Sequence, residues 1–337
     1  MKVVLILLFL ALAVAAPIVV VSDYWHNLMV LAVVYAIATL GLNFTLGLTG
    51  QLSLAQAAFW GIGAYTSALI TVRYEVPFWI GLPAAAAVAA LFGVMLGFPS
   101  FKLSGHYLAM TTIGFGIIVR LVLQNWQELT GGADGIGGIP APSLGVLDVD
   151  NNFKYYYFAL AFLLILALVA YKIQHSRAGR AFQAIRENEM AAEATGVNTN
   201  RYKLIAFLFS ALYGGIAGSL YAHSAGYISP DTFSFDQSVV FMVMLVLGGS
   251  GSIPGTLIGA TLLTFLPEWL RFLKSSYMAV YGAGVMFMMI FFPTGLWGLL
   301  EMIYGKLTRR PVEVLSPLEK TEEATAAKSP VETRKSS

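Results

Sequence analysis

Ten long apolar runs, almost free of charges, constrain this chain more than any other feature of its sequence. Hydrocarbon cannot hydrogen-bond to a backbone, so a run of roughly 20 apolar residues predicts a helix that spans a membrane. Only 11% of the 337 residues are charged, whereas soluble domains carry about 25%. We therefore predict an all-α membrane protein, a polytopic bundle of about ten transmembrane helices. The runs lie at 3–21, 28–48, 53–72, 79–98, 105–123, 156–171, 204–222, 237–247, 255–270 and 278–300.

Two of these runs allow a second interpretation. The first follows Lys2 and includes Ala13-Val14-Ala15, so it also has the pattern of a secretory signal peptide. Its cleavage would leave the orientation of the later spans unchanged. The run 237–247 is short for a full span, so it either continues through the glycine-rich stretch behind it or belongs to a broken helix.

The charges of two long loops predict the orientation of the bundle. The segment 172–203 carries six basic and three acidic residues, a balance of +3, whereas 124–155 carries one basic and four acidic residues, a balance of −3. Because basic loops remain in the cytoplasm, 172–203 is predicted to be cytoplasmic and 124–155 external. Both termini are then cytoplasmic. Arg271 and Lys274 fall on the outer side in this count and are an exception to the rule.

The chain divides into a membrane domain and a polar tail. Residues 1–310 are predicted to form the membrane domain, with 172–203 as its long cytoplasmic segment. The tail, 311–337, has mixed charges, prolines and no apolar periodicity, so we predict that it is disordered and cytoplasmic. Glycine pairs spaced four residues apart predict close packing of helices within the domain. These pairs are Gly93/Gly97, Gly214/Gly218 and Gly255/Gly259.

Several classes of function are excluded or disfavoured by what the sequence lacks. Without cysteine the chain cannot form disulfides, zinc-thiolate sites or iron–sulfur clusters. It has no phosphate-binding loop, HExxH or GxSxG motif, and its four histidines are scattered, so we predict no catalytic residue, metal or cofactor. A membrane-embedded enzyme would need clustered acids or histidines at the headgroup level. The formal charge of +2 is too small to indicate a nucleic-acid partner.

Two glycine-rich breaks interrupt the apolar pattern, one in each half of the chain, at 47–53 and 248–255. In transporters, paired interruptions free backbone groups to line a pathway, although a tight turn between helices needs glycine equally. For Asn43, inside a span, a structural hydrogen bond between helices is the simpler explanation. The residues predicted to approach the pathway are Asn43, Gly50, Gln51, Ser53, Gln56, Gly249 and Gly251.

The cytoplasmic segment contains a stretch, 176–196, that predicts one or two short surface helices. Helix-forming residues dominate it, Gly196 suits a helix end, and one face is apolar. That face carries Ala178, Ala181, Phe182 and Ile185. Such a helix can lie in the lipid headgroups, but its charges of both signs fit a protein partner at least as well.

Four stretches carry a resemblance to a known family. They are GLNFTLGLTGQLSLAQ at 41–56, SGHYLAMTT at 104–112, TGGADG at 130–135 and the segment 176–196. Together they closely resemble the permease subunits of bacterial branched-chain amino acid ABC importers, and among these the M-type subunit. The resemblance extends from about residue 28 to about residue 300 and implies the fold of an ABC importer permease.

The resemblance implies that 177–196 docks an ATPase subunit. The matching residues are Arg177, Gly179, Arg180, Phe182, Ile185, Arg186, Glu187, Ala191, Ala192 and Gly196. We expect Phe182 and Ile185 to act as apolar anchors in the partner, within a polar rim. The general importer pattern is Glu-Ala-Ala with a glycine three residues later, whereas this chain has Met190-Ala191-Ala192 and the glycine at 196.

The resemblance also implies the partners and the reaction. A second permease subunit, two ATP-binding subunits and an extracytoplasmic substrate-binding protein would complete the importer in the bacterial inner membrane. The permease would be non-catalytic and would move leucine, isoleucine or valine inward by alternating access while its partners hydrolyse ATP. The alternative within the resemblance is a related importer for urea or short amides.

Overall fold

A computed structural model describes residues 13–18, 22–99, 103, 105–143, 151–271, 282, 286 and 295–299. All of them belong to one compact unit, Met1–Leu299. The predicted tail 311–337 lies outside the described residues. So does most of the predicted last span, 278–300.

The described chain is built almost entirely from helices. The helices are α1 Asp23–Leu42, α2 Gln56–Arg73, α3 Phe78–Gly97, α4 His106–Asn125, α5 Gln127–Thr130, α6 Asn152–Gln174, α7 Arg177–Glu187, α8 Glu189–Ala194, α9 Thr199–Ala225, α10 Phe235–Gly248 and α11 Ile253–Trp269. A π-helix, Asn43–Leu48, extends α1, and short 3₁₀ turns span Gly132–Asp134 and Pro230–Phe233. Two strands of two residues, β1 Ile136–Gly137 and β2 Tyr227–Ile228, pair antiparallel with Ile136 opposite Ile228.

The prediction of an all-α polytopic membrane protein is confirmed. Every apolar run within the described ranges coincides with a helix, and α1, α6 and α9 begin several residues before their run. Five helical stretches are long and apolar enough to cross a membrane. They are Asp23–Leu48, Phe78–Gly97, His106–Asn125, Asn152–Gln174 and Thr199–Ala225. The total of ten spans stays a prediction.

Helix α9 lies at the centre of the bundle, packed against α1, α2 and α3. Its glycines permit this approach, because a Cβ added to Gly218 would lie 2.0 Å from the carbonyl oxygen of Trp60 in α2. On the α3 side, a Cβ added to Gly93 would lie 2.4 Å from that of Ala211. Small residues therefore set the distance between helix backbones, as the glycine spacing predicted.

The outer helices turn full-size apolar side chains away from this core. Ile118 and Leu121 of α4 and Ile165 and Leu168 of α6 are all more than half exposed. In a soluble protein such faces would be a liability, but hydrocarbon accommodates them. Helices α4 and α6 therefore lie at the periphery of this subunit.

Helix α10 corrects one expectation. It ends at Gly248 and does not continue through the glycine-rich stretch, because α11 begins at Ile253 and runs back along it. The two helices touch at glycine, where a Cβ added to Gly248 would lie 2.1 Å from the carbonyl oxygen of Gly255. Of the two alternatives for the run 237–247, the helix that continues past Gly248 is wrong, since the chain reverses there.

The basic and acidic loops lie at opposite ends of the same helices. Helices α7 and α8 follow the C-terminus of α6 and precede the N-terminus of α9. At the other end of α9, β2 pairs with β1 from the acidic segment, and Arg120 forms an ion pair of 2.7 Å with Asp231. This arrangement is the one the loop charges require, and the assignment of the basic end to the cytoplasm stays a prediction.

Candidate functional site

The first glycine-rich break begins where α1 widens into the π-helix. Gly47 is required there, because a Cβ at this position would lie 1.8 Å from Oδ1 of Asn43. The hydroxyl of Thr49 donates to the carbonyl oxygen of Thr45 at 2.7 Å, which satisfies a group at the end of the widened turn. Gly50 follows with φ of +70°, so the chain leaves the helix sharply. π-Helical turns often occur at functional sites.

A buried side chain joins this break to the second one. Oδ1 of Asn43 accepts a hydrogen bond of 2.9 Å from the backbone N–H of Gly251. Asn43 is only 2% exposed, so the bond is shielded from water. The structural hydrogen bond predicted for Asn43 is present, but its partner is the backbone of the turn at the other break and not a second helix.

The second break is a tight turn between α10 and α11. Gly249 and Gly251 have φ of +119° and +85°, a region in which other residues are strained. The hydroxyl of Ser252 accepts from the N–H of Gly255 at 3.2 Å and caps α11. The backbone of this break has the form of a tight turn between helices, which is the simpler of the two interpretations.

Helix α7 of the basic segment is attached to both breaks at once. Arg186 donates through Nη1 to the carbonyl oxygen of Gly47 at 2.5 Å and through Nη2 to the hydroxyl of Ser250 at 3.4 Å. Just before α7, Nε2 of Gln174 donates to the carbonyl oxygen of Gly251 at 2.9 Å. The surface segment and the two breaks therefore form one hydrogen-bonded junction.

At this junction Gly50 packs closely against Arg186, and a cavity lies beside the contact. A Cβ added to Gly50 would lie 3.2 Å from Cγ of Arg186, so the two segments touch. Next to this contact is a cavity of about 300 Å³ that Arg186, Leu48, Gln183 and Glu187 help to line. The groups at the junction are amides, one guanidinium, one hydroxyl and glycine backbone, joined by hydrogen bonds.

The remaining polar residues of the first break have different surroundings. Gln56 connects three helices, since Nε2 donates to the carbonyl oxygen of Ala38 at 2.7 Å and Oε1 accepts from the hydroxyl of Ser210 at 2.8 Å. Gln51 is also buried, but within the described part of the chain neither of its amide atoms has a partner. Ser53, which lies between Gln51 and Gln56 in the sequence, is buried as well. Their place on a transport pathway stays a prediction.

The basic segment folds as two short helices, as predicted. The hydroxyl of Ser176 caps α7 by accepting from the N–H of Ala178 at 3.1 Å, and Asn188 caps α8 in the same way. Gly196, with φ of +87°, follows the end of α8. Gly179 brings α7 against the end of α6, because a Cβ there would lie 1.9 Å from the carbonyl oxygen of Gln174.

The expected apolar anchors of this segment do not face outward. Phe182 is 0% exposed and Ile185 is 5% exposed, and the ring of Phe182 packs edge-on against Tyr202 of α9 at 6.0 Å. The prediction that Phe182 and Ile185 present their side chains to a partner is therefore wrong. An amphipathic helix reveals which face is apolar but not what covers it, and here α9 covers it. The residues left exposed are Arg177, Arg180, Arg186, Glu187, Ala191 and Gly196.

Two residues of the site were missed by the sequence analysis. Met190 is 79% exposed at the start of α8, so it is a large apolar side chain available on this surface. The sequence did contain a signal for Met190, because an apolar residue stands where the general importer pattern has glutamate. Gln174, which binds the second break, gave no local signal, since its partner is far away in sequence.

Comparisons of the sequence with known proteins indicate a family of transport permeases. The sequence profile of the family described as branched-chain amino acid transport system, permease component, matches residues 24–293. The chain is 39% identical over 310 residues to the high-affinity branched-chain amino acid transport system permease protein LivM of Escherichia coli K12, covering 85% of this chain and 73% of that protein. It is 27% identical over 298 residues to LivH of the same organism, covering 82% and 95%. A probable LivM of Methanocaldococcus jannaschii is 25% identical over 250 residues, 70% of each chain.

Proposed function

The chain belongs to the family of branched-chain amino acid transport permease components, and we propose that it is the M-type permease subunit of an ATP-driven importer. Its substrates are leucine, isoleucine and valine, which it moves across the membrane by alternating access. The support is the similarity to LivM over most of both chains. The multi-pass helical bundle is the architecture that such a role requires.

The proposal includes partners that supply the energy and deliver the substrate. We infer a second permease subunit, similar to the relatives named LivH, together with two ATP-binding subunits and an extracytoplasmic binding protein. The chain itself is non-catalytic and resides in the bacterial inner membrane. Residues 1–310 form the permease domain in this proposal, and 172–203 forms its coupling segment.

The structural observation that supports a coupling role for this segment is the attachment of α7 to both glycine-rich breaks. Work done by ATP hydrolysis has to enter a permease through a protein contact on its cytoplasmic side. Arg186 and Gln174 extend such a contact directly into the membrane domain, at Gly47 and at Gly251. When the ATPase subunits move α7, both breaks move with it, and the pathway beside Gln51 opens or closes.

The importer for urea or short amides is the weaker alternative. The relatives LivM and LivH are named for branched-chain amino acids, which favours this substrate class over urea. In such systems substrate selection is expected to reside largely in the binding protein. The substrate is therefore tested on the assembled complex.

The test is uptake by the complete importer. The full chain is isolated with its copurifying subunits, reconstituted in proteoliposomes, and supplied with ATP and the loaded binding protein. We expect ATP-dependent accumulation of labelled leucine, isoleucine and valine, and none in vesicles without this chain. Accumulation of labelled urea without any accumulation of leucine would overturn the proposed substrate.

A further inference from the structure

A second cavity, of about 420 Å³, lies on the far side of α7 from the glycine-rich breaks. It opens between α7 and the loop that leads from α8 into α9. Its charged lining consists of Arg177 and Arg180 from α7 and Arg201 from α9, and Tyr202 contributes an aromatic wall. Three guanidinium groups therefore line one cavity.

None of these three arginines has an acidic partner in the described chain. Every carboxylate of the surrounding segment is engaged elsewhere. Glu189 pairs with Lys203, Glu193 accepts from the hydroxyl of Thr199 at 2.5 Å, and Glu187 accepts from Gln183 at 3.4 Å. Within the described part of the chain the cavity thus concentrates positive charge, which favours an anionic ligand.

The position of the cavity relative to the membrane indicates which anion it can meet. Helix α9 has 27 residues, which makes it about 40 Å long, against a hydrocarbon thickness of about 30 Å. Its polar N-terminal turns, with Arg201, therefore extend beyond the hydrocarbon. Arg177 lies three residues after the end of α6, another spanning helix. Both sides of the cavity are at the level where lipid phosphates lie.

We propose that this cavity binds the phosphate headgroup of an anionic phospholipid of the cytoplasmic leaflet. Guanidinium groups bind phosphate oxygens through paired hydrogen bonds, and basic pockets beside spanning helices are suited to anionic headgroups. Asn198, at the edge of the cavity, caps α9, so the positive end of that helix adds to the attraction. The bound lipid holds α7 against α9 from the side opposite Arg186.

The proposal is tested on the purified full chain in a non-ionic detergent. Native mass spectrometry measures binding of phosphatidylglycerol and of phosphatidylcholine with the same acyl chains. The wild type should bind one phosphatidylglycerol more tightly than phosphatidylcholine. Each arginine contributes roughly fivefold, so R180Q should weaken phosphatidylglycerol binding by about that factor and the triple variant R177Q/R180Q/R201Q by about a hundredfold.

Lys172→Gln is the matched control, because it removes a positive charge from the same cytoplasmic end without changing the cavity lining, and it should leave the affinity within about twofold. Circular dichroism and gel filtration establish that each variant is folded. Unchanged phosphatidylglycerol affinity in the triple variant would overturn the proposal. Displacement of the lipid by inorganic phosphate at matched concentration would assign the cavity to a free anion. Loss of copurifying ATPase with lipid binding intact would assign it to a protein partner.

Discussion

At the scale of single residues, Arg186 joins helix α7 to both glycine-rich breaks of the membrane domain. Its guanidinium reaches Gly47 at 2.5 Å and Ser250 at 3.4 Å, one atom in each break. A charged donor to a carbonyl contributes about 1.5–3 kcal/mol when shielded, and less at this partly exposed position. We infer that the stability of the bundle depends little on this residue, whereas the transfer of motion depends on it directly.

We therefore expect Arg186→Gln to separate hydrolysis from transport. The variant should bind the ATPase subunits normally and hydrolyse ATP, yet import leucine about fivefold more slowly, which corresponds to about 1 kcal/mol. Uptake and ATP hydrolysis are measured on the same proteoliposomes. Lys172→Gln controls for the loss of one charge from the segment. Equal ratios of uptake to hydrolysis in Arg186→Gln and the wild type would show that Arg186 transmits nothing.

Gln51 and Gln56 offer a matched pair of buried amides. Gln56 has partners in two other helices, whereas neither amide atom of Gln51 has a partner in the described chain. An unsatisfied buried amide costs about 1–3 kcal/mol, so Gln51→Leu should raise the thermal unfolding midpoint, while Gln56→Leu should lower it. If Gln51 serves the pathway, its leucine variant should also transport less. A more stable Gln51→Leu protein with full transport would remove Gln51 from the pathway.

At the scale of elements, α7 and α8 differ in their contacts: α7 packs against the bundle, and α8 exposes an apolar side chain. Helix α7 is fixed to the bundle by Phe182 and Ile185 on one side and Arg186 on the other. Helix α8 presents Met190 outward, with 79% of the residue exposed. We therefore propose that α7 keeps its place against the bundle and that α8 provides the apolar contact for a partner.

The different surroundings of α7 and α8 predict opposite results for substitutions of two apolar residues, Met190 and Phe182. Met190→Asp should reduce pull-down of the ATPase subunit at least tenfold while the thermal midpoint is unchanged, because an exposed anchor is lost. Phe182→Ala should cost about 3–5 kcal/mol of stability, since it leaves a cavity against Tyr202. Midpoints and pull-downs are compared in one detergent. Normal ATPase binding by Met190→Asp would move the anchor to another part of the segment.

At the scale of the whole molecule, the helices were predictable and the contacts between distant segments were not. Apolar length alone fixes where a spanning helix can lie, which is why eight predicted runs coincide with helices. The hydrogen bond of Asn43 was also predictable, because a buried amide in a span needs a partner. The contact of Arg186 with Gly47 was not, since the two residues are 139 positions apart and no local pattern links them. For the same reason, no local pattern showed that α9 covers Phe182, which was expected to face a partner.

The predicted orientation can be tested across the whole chain, since the absence of cysteine makes single-cysteine labelling direct. Asp148→Cys, in the acidic loop and outside the described residues, should react with an impermeant maleimide added to spheroplasts. Gln183→Cys, exposed on α7, should react only after the membrane is opened. Labelling of Gln183→Cys in sealed spheroplasts, with Asp148→Cys protected, would invert the bundle.

The glycine contacts of α9 determine which parts of the protein can change shape. At Gly218 and Gly93 the backbones are already as near as atoms allow, and a shift along either seam would drive a neighbouring side chain into a carbonyl group. Helices α2 and α3 therefore pack against α9 without free space at these contacts, and we infer that the three helices move as a single rigid block. The strain of alternating between inward- and outward-facing states then falls on joints that can flex, and the π-helix with its glycine at 50 is one such hinge.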